Sequence, residues 1–344
     1  MKIIVDAMGG DHAPDAIVDG ALQANRDLGV DIILVGRTEA ILRAMENAGV
    51  KELPAGVEIH NATEVIEIED DAATAFKRKK DSSMTVGLTL LRDGAGDAFV
   101  SAGSTGALLS GATLVVKRIR GIRRVAMAPT VPVYGGRAIL CDCGANAECT
   151  PEYLLQFTYL ASLYAQKTLG IQNPRVGLLN IGAEKEKGDS LRLETYPLLE
   201  AAHAAGRINF IGNVESNAAV MGEVDVIVAD GFSGNVFLKS VEGAGKFMAK
   251  ELKSMFLYNL RTKIAALLMK DRVAEFKKLL DPNEVGGSPF LGVSKPVIKA
   301  HGSSNAWAIR NAIRQARDFA QSTYISDVQA NIEFMKVSGG GENA

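Results

Sequence analysis

Short runs of aliphatic and β-branched residues alternate along the chain with longer stretches in which apolar residues recur every three or four positions. The short runs have the composition of strands, and the longer stretches have the period of helices that pack on a sheet. Their alternation predicts βαβ units, and so an α/β fold with a mainly parallel sheet flanked by helices. Strands are predicted at residues 2–7, 31–35, 57–60, 98–101, 125–133, 138–142, 176–181, 208–211, 224–229 and 297–299, and helices at 15–28, 106–119, 151–169, 190–205 and 304–318.

No repeat or low-complexity linker divides the chain. We therefore expect residues 1–335 to form a single α/β unit, in one lobe or in two lobes around a central cleft. The glycine-rich end at residues 336–344 is expected to be a flexible tail.

One segment, residues 256–280, departs from the pattern. It carries six basic and two acidic residues, a charge of +4 in a chain whose formal net charge is −2, together with ten large apolar residues. This composition predicts a protruding amphipathic helical hairpin. Its apolar side could pack on the core, contact a twin subunit or rest on an anionic membrane surface.

The near balance of charge, with 38 basic and 40 acidic residues, provides no global basic field, and we expect no nucleic acid partner. Three cysteines, Cys141, Cys143 and Cys149, are too few and too close for a disulfide framework or a complete zinc set. Cys141 and Cys143 are predicted to be buried strand residues. This cysteine usage predicts a reducing, cytoplasmic compartment.

Four glycine-containing segments follow predicted strands. The carboxyl ends of the strands are where ligands bind in open α/β sheets, and backbone N–H groups at such turns favour anions. Each segment alone is also typical of a tight turn with a helix cap. Together they predict a phosphate-like site, with these candidate binding residues: Gly9, Gly10, Asp11 and His12; Gly103, Ser104, Thr105 and Gly106; Asp230, Ser233 and Gly234; and His301, Gly302 and Ser303.

Several common signatures are absent. The sequence has no P-loop, no GxGxxG at its first strand, no HExxH and no GxSxG elbow. We predict neither a cofactor nor a metal. Lys187 directly precedes a glycine after the apolar strand 176–181, a position from which its ammonium can reach an anion or remain in solvent.

Taken together, the motifs resemble the bacterial phosphate acyltransferase family of phospholipid synthesis. The matching segments are VDAMGGDHAP, RKKDSSM, SAGSTGAL, GLLNIGAEKEKG, NFIGNVE, DGFSGNV and VIKAHGSS, which extend from Val5 to Ser304. The resemblance implies a fold similar to isocitrate and isopropylmalate dehydrogenases and to phosphate acetyltransferase. It also implies reversible transfer of a fatty acyl group from acyl carrier protein to inorganic phosphate, with Lys187 and Asn235 linked to catalysis.

The same resemblance implies partners and a location. It predicts a homodimer in the cytoplasm, peripheral on the inner face of the membrane and close to a glycerol-3-phosphate acyltransferase that consumes the acyl phosphate.

Two other functions stay open on the sequence alone. The implied fold also serves metal- and nicotinamide-dependent decarboxylating dehydrogenases, for which Asp225 and Asp230 are available as metal ligands. A membrane-associated adaptor without catalytic activity would use the basic segment 256–280 but leave the four glycine loops unexplained.

Overall fold

The computed structural model describes residues 1–336. Its strands are β1 (Lys2–Asp6), β2 (Asp31–Gly36), β3 (Val57–Asn61), β4 (Ala98–Ser101), β5 (Ala126–Met127), β6 (Thr130–Val133), β7 (Gly136–Cys141), β8 (Arg175–Leu179), β9 (Asn209–Val214), β10 (Val226–Val228), β11 (Gly287–Leu291) and β12 (Val297–Ala300). Its α-helices are α1 (Asp15–Leu28), α2 (Thr38–Asn47), α3 (Ala75–Arg78), α4 (Ser83–Asp93), α5 (Thr105–Gly111), α6 (Pro151–Lys167), α7 (Ser190–Ala204), α8 (Ser216–Val220), α9 (Gly231–Leu257), α10 (Leu260–Leu268), α11 (Lys270–Leu280), α12 (Ala306–Gln321) and α13 (Tyr324–Ala330). A π-helical segment, Ala112–Lys117, continues α5, and short 3₁₀ turns occupy Pro282–Glu284 and Ile332–Met335.

The strands form two sheets. The larger has seven strands in the order β3-β2-β1-β4-β12-β11-β5, and the smaller has five in the order β6-β7-β10-β8-β9. Most neighbours are parallel, and the antiparallel pairs are β11 with β12, β11 with β5 and β6 with β7. The predicted α/β fold with mainly parallel sheets flanked by helices is confirmed.

The chain passes from the larger sheet to the smaller one at Ala128 and Pro129. Ala128 N–H donates to Pro289 O of β11 at 3.0 Å, and Pro129 O accepts from Leu140 N–H of β7 at 2.9 Å. The single strand predicted at 125–133 is therefore wrong, because its two halves, β5 and β6, belong to different sheets. Strand β11 was not predicted, since its sequence GSPFL begins with residues that strands disfavour.

Helices α1, α6, α7 and α12 lie where the sequence predicts them, to within three residues at each end. The predicted helix 106–119 is present as α5 and its π-helical continuation. Helices α6, α12 and α13 meet in a buried aromatic cluster, where Tyr164, Phe319 and Tyr324 pack edge to face. Cys141 and Cys143 are buried, as predicted, but only Cys141 lies in a strand, because β7 ends at Cys141.

The segment 256–280 forms the end of α9 and the two helices α10 and α11, which we call the hairpin. Among the described residues of α10 and α11, none is buried. Leu267 is 71% exposed and Leu268 is 83% exposed. The exposed leucines of α10 therefore do not face this chain's own core, whereas Leu279 and Leu280 of α11 are half-buried. Lys336 is the only residue of the predicted tail 336–344 that lies within the described range.

Across residues 1–336, none of the helices combines the length and the hydropathy that a membrane crossing requires.

Candidate active site

The two sheets present the carboxyl ends of several strands to a common space. We call the resulting space of about 390 Å³ the cleft cavity. Thr105, Lys299, His301 and Gly302 line it from the larger sheet. Thr130, Gly144, Asn235, Lys239 and Glu242 line it from the smaller sheet and α9, and Met127 lines it from β5, at the edge of the larger sheet.

Three of the four glycine loops pack against one another at the larger sheet. Gly9 lies so close to the second loop that a Cβ there would be 2.7 Å from Gly103 N. Asp11 N–H donates to Gly302 O at 2.8 Å, which joins the first loop to the fourth. Only glycine permits this approach at position 9.

These loops enclose a second space of about 410 Å³, which we call the glycine-loop cavity. The structure thus brings seven of the proposed binding residues together around one cavity. They are Gly9, Gly10, Asp11, Gly103, Ser104, Thr105 and Gly302.

The buried carboxylate of Asp6 connects the first and second glycine loops. Asp6, at the end of β1, accepts hydrogen bonds from Ser101 Oγ at 2.6 Å and from Met8 N–H at 3.2 Å. Burial raises the pKa of Asp6 above its usual range, against the effect of these hydrogen bonds. The carboxyl group therefore fixes the first loop on the second.

Lys299 lies between the two cavities and lines both. Its side chain is buried, and Nζ donates to two backbone carbonyls, Ala102 O and Ala300 O. Burial lowers the pKa of Lys299 to about 8, although the nearby charges of Asp6 and Asp11 oppose the shift. Among the described residues it forms no salt bridge, so its ammonium is available to an anion in either cavity.

His301 follows on the same loop and opens into the cleft cavity. Its Nδ1 lies 2.9 Å from Ser303 Oγ and accepts a hydrogen bond from Ser303 N–H at 3.2 Å. Desolvation, with the charges of Lys239 and Lys299, lowers the pKa of His301. The neutral ring then carries its proton on Nε2 and can donate it.

The smaller sheet contributes a loop that is organised by Asp142. One carboxylate oxygen accepts from Met127 N–H and Cys143 N–H at 2.8 and 2.7 Å, and the other accepts from Asn146 N–H at 2.6 Å. Burial raises the pKa of Asp142 to about 6 despite these donors. The loop presents Gly144 to the cleft cavity.

The first turn of α9 packs directly on this loop. A Cβ at Gly234 would lie 2.0 Å from Asp142 O, so only glycine allows the helix to approach so closely. The close packing puts the Asn235 side chain beside Gly144, within the cleft cavity.

Asp230 and Ser233 are engaged in holding α9 in place. Asp230 caps the helix by accepting from Ser233 N–H at 2.9 Å, and its other oxygen bonds to the buried Arg192. Arg192 also donates to Ser233 Oγ at 3.1 Å. Burial acts to raise the pKa of Asp230, but the Ser233 hydrogen bonds and the Arg192 charge outweigh it and the pKa is lowered.

Lys187 lies on a different side of α9. Its backbone carbonyl accepts from Asn180 Nδ2 at 3.0 Å, and its side chain is exposed. Its neighbours Gly188 and Asp189 line a groove of about 700 Å³ with Phe232 and Val236, which we call the α9 groove. In this chain Lys187 and Asn235 are therefore not brought into one cavity.

Two further candidate residues, His12 and Gly106, line neither the cleft cavity nor the glycine-loop cavity. His12 is exposed in the turn before α1, and Gly106 lies in the first turn of α5, facing Ala72. Lys299, Asp142 and Arg192 were not among the candidate site residues predicted from the sequence. The motif VIKAHGSS could have identified Lys299, because this lysine lies at the end of a predicted strand, just before the glycine loop.

The acids available for a dehydrogenase metal site are already paired. Arg175 binds Asp225 through two nitrogens at 3.1 and 3.0 Å, and Asp230 is held by Arg192. Among the described residues, no group of three or more His, Cys, Asp or Glu side chains is arranged to hold a metal.

Comparisons with known proteins identify the family of the chain. A family model described as "Fatty acid synthesis protein" matches residues 1–327. The chain is 44% identical to a phosphate acyltransferase of Acetivibrio thermocellus, covering 98% of both chains. It is 47% identical to a phosphate acyltransferase of Alkaliphilus oremlandii, covering 96% of this chain and 97% of that protein.

Solved structures share the fold at low sequence identity. A phosphotransacetylase from Streptococcus pyogenes matches with a TM-score of 0.64 and 17% identity, covering 93% of this chain and 94% of that chain. A 4-hydroxythreonine-4-phosphate dehydrogenase from Klebsiella pneumoniae matches with a TM-score of 0.54 and 13% identity, covering 93% and 99%. Because enzymes of both chemistries share the fold, the sequence relatives decide the function. The chain therefore belongs to the fatty acid synthesis protein family, and it is a bacterial phosphate acyltransferase, an enzyme of lipid synthesis that transfers an acyl group to phosphate.

Proposed function

We propose that the acyl donor is a fatty acyl thioester of acyl carrier protein, that the acceptor is inorganic phosphate and that the product is an acyl phosphate for phospholipid synthesis. The observation that carries the proposal is the buried ammonium of Lys299, which faces two cavities lined by the glycine loops and forms no salt bridge among the described residues. Asn235 lines the same cleft cavity.

The chemistry needs no covalent nucleophile from the protein. A phosphate oxygen attacks the thioester carbonyl, the tetrahedral intermediate collapses, the C–S bond breaks and the thiolate leaves to take up a proton. The enzyme must hold phosphate against the carbonyl carbon and stabilise the oxyanion. In this scheme Lys299 and the N–H groups of Gly9, Gly10 and Thr105 hold phosphate, and Asn235 Nδ2 donates to the oxyanion.

The role of Lys187 follows from its position on the other side of α9. Since the α9 groove is lined by Phe232 and Val236 and bordered by the Lys187 loop, it suits the acyl donor better than phosphate. We assign Lys187 to the donor side, where its charge offsets that of the departing thiolate.

The partners belong to the same proposal. The enzyme works as a cytoplasmic homodimer that is peripheral on the membrane and passes acyl phosphate to a glycerol-3-phosphate acyltransferase. The uncovered apolar side of the hairpin supports a contact with a twin subunit or with lipid.

The test is formation of acyl phosphate by the purified enzyme from acyl-acyl carrier protein and phosphate. Asn235→Ala should lower turnover by about 10²- to 10³-fold with the fold intact, because one oxyanion donor is lost. Asn217→Ala, an exposed asparagine whose side chain bonds only within its own turn, is the matched control and should behave like wild type.

Variants of the two lysines test the acyl donor site and the phosphate site separately. Lys187→Ala should raise the KM for the acyl donor or lower turnover while the KM for phosphate is unchanged, and Lys299→Met should raise the KM for phosphate. An enzyme that forms no acyl phosphate from these substrates, or an Asn235→Ala variant with wild-type turnover, would contradict the proposal.

A further inference from the structure

A third cavity lies where the hairpin returns to the body of the molecule. It has a volume of about 580 Å³, and we call it the joint cavity. Arg137 of β7, Lys278 of α11, Arg314 and Gln315 of α12, and Thr168 after α6 contribute to its lining. The cavity therefore joins four separate parts of the chain.

The basic side chains of this cavity bind no carboxylate within the described residues. Arg137 Nη2 donates to the backbone carbonyl of Lys278 at 3.1 Å. Arg314 Nη2 donates to the backbone carbonyl of Glu284 at 3.2 Å. Each guanidinium has five N–H donors, so most of them are left for another acceptor.

The acids that line the same cavity are engaged elsewhere. Asp318 accepts from Arg317 at 2.9 and 2.7 Å. Glu284 Oε1 accepts from Trp307 Nε1 at 3.2 Å. Because Asp318 is paired with Arg317, the lining carries three cations, Arg137, Lys278 and Arg314, against the one remaining negative charge of Glu284.

Four residues that line the cavity also carry buried polar atoms without a hydrogen-bond partner. They are Thr130 Oγ1, Thr168 Oγ1, Arg314 Nε and Gln315 Oε1. An unpaired buried polar atom is unfavourable, and native proteins satisfy most such atoms with water or a ligand. The presence of four such atoms around one cavity indicates that the cavity can bind a polar group.

The two guanidinium groups are close enough to affect one another. Burial, with a contribution from the charge of Arg314, lowers the pKa of Arg137, against the effects of Glu284 and Asp281. An anion between the two arginines would relieve this repulsion.

We propose that the joint cavity is a second anion site that binds a phosphate group between Arg137 and Arg314. Arginine suits this ligand because its planar fork donates two parallel hydrogen bonds to phosphate oxygens. The phosphate can come from free inorganic phosphate or from the headgroup of an anionic lipid at a surface touched by the hairpin.

The position of this site links the hairpin to the active site. Thr130 and Val285 line both the joint cavity and the cleft cavity. The next residue, Gly286, is pressed on α12, where a Cβ would lie 2.2 Å from Ala312 N. A phosphate held here ties α11 to the wall of the cleft cavity, so occupancy biases the geometry of the catalytic site.

Amide hydrogen exchange of the full-length enzyme tests the proposal, because it reports on each cavity separately. Inorganic phosphate should slow exchange in peptides covering residues 278–288 and 312–319. In the double variant Arg137→Gln/Arg314→Gln the same protection should require at least about tenfold more phosphate, since charge-assisted hydrogen bonds are lost. Arg92→Gln, an exposed arginine paired with Asp93, is the matched control and should match wild type.

A second variant separates this site from the catalytic one. Lys299→Met should lose protection at residues 8–12 and 301–305 but keep it at the joint cavity. Loss of both together would mean that the signal comes from the catalytic site, and the proposal would be wrong. If the double variant unfolds, Arg137→Lys and Arg314→Lys keep the charge without the fork and should weaken binding to an intermediate degree.

Vesicles of phosphatidylglycerol, without added phosphate, identify the source. Protection of the same peptides by vesicles, lost in the double variant, assigns the site to a lipid headgroup. Protection by inorganic phosphate alone assigns it to the free ion. Unchanged exchange at the joint cavity with both probes overturns the proposal.

Discussion

At the scale of single residues, Lys299 has an unusual environment for a cation. It is buried, it bonds only to carbonyl oxygens, and burial lowers its pKa to about 8. The titratable groups that interact with its charge are Asp6 at the end of β1, Asp11 in the first glycine loop and His301 on its own loop. Because a lysine must be protonated to attract phosphate, its charge is lost as the pH rises through about 8.

The efficiency with which the enzyme uses phosphate should therefore depend on pH. Above about pH 8, kcat/KM for phosphate should fall about tenfold per pH unit, as expected for loss of one essential proton. Initial rates with varied phosphate between pH 6.5 and 9.5 measure this. Lys299→Arg should move the decline to higher pH, because arginine stays protonated.

Lys299→Met removes the titrating group. Its unfolding temperature shows whether a loss of activity comes from the missing ammonium or from misfolding. Removing a buried ammonium that costs desolvation should leave the unfolding temperature unchanged or higher below pH 8. Lys295→Met, on the same segment but bonded to Leu91 O outside the cavities, should keep wild-type kinetics. An alkaline decline that persists in Lys299→Met would assign the titration to another group.

At the scale of elements, the start of α9 is positioned by contacts that only glycine permits. Gly234→Ala would bring a Cβ to 2.0 Å from Asp142 O, so the helix must move and take Asn235 with it. We expect a loss of about 1–3 kcal/mol in the free energy of unfolding and a fall in turnover. Urea unfolding and acyl phosphate formation measure the two effects.

The same helix supplies the control. Gly243 has open space where its Cβ would be, so Gly243→Ala should raise stability by up to about 1 kcal/mol through helix propensity. Its turnover should stay at the wild-type level. If Gly234→Ala keeps both stability and turnover, the close approach to Asp142 does not position Asn235.

The hairpin is the second element with a testable consequence. Leu267 and Leu268 are 71% and 83% exposed, and burying such side chains in lipid contributes about 1.5–3 kcal/mol each. Leu267→Glu/Leu268→Glu should therefore reduce flotation with anionic liposomes by at least about tenfold. The control changes two exposed leucines elsewhere, Leu42→Glu and Leu53→Glu, and should float like wild type.

The opposite result has a clear meaning. Equal flotation of the hairpin variant and the wild type, with a smaller mass by light scattering, would assign the apolar side to the twin subunit instead of the membrane.

At the scale of the whole molecule, periodicity predicted the α/β architecture and the positions of α1, α6, α7 and α12. It also placed the four glycine loops at strand ends, since turn chemistry is local. Periodicity did not predict that the chain passes between the sheets at Pro129. Which sheet each half of the apolar run 125–133 joins depends on partners that are distant in sequence, such as Pro289.

The same reason explains what was missed in the candidate site. Gly9 and Gly302 were predicted from local signals, and both lie in the glycine-loop cavity. Lys299 and Asp142 became candidates only when burial and partners from other strands were known. Lys187 was identified by its motif, yet its separation from Asn235 by α9 depends on tertiary packing.

The strand order has a consequence for synthesis on the ribosome. Strands β12 and β11 are translated last, yet they insert between β4 and β5, which are made much earlier. Until residues 287–300 have emerged, β5 has no neighbour in the larger sheet and Lys299 does not yet exist. We therefore expect a fragment that ends before residue 287 to expose the unpaired edge of β4, to lack residues 287, 288 and 299–302 of the cleft lining and to transfer no acyl group.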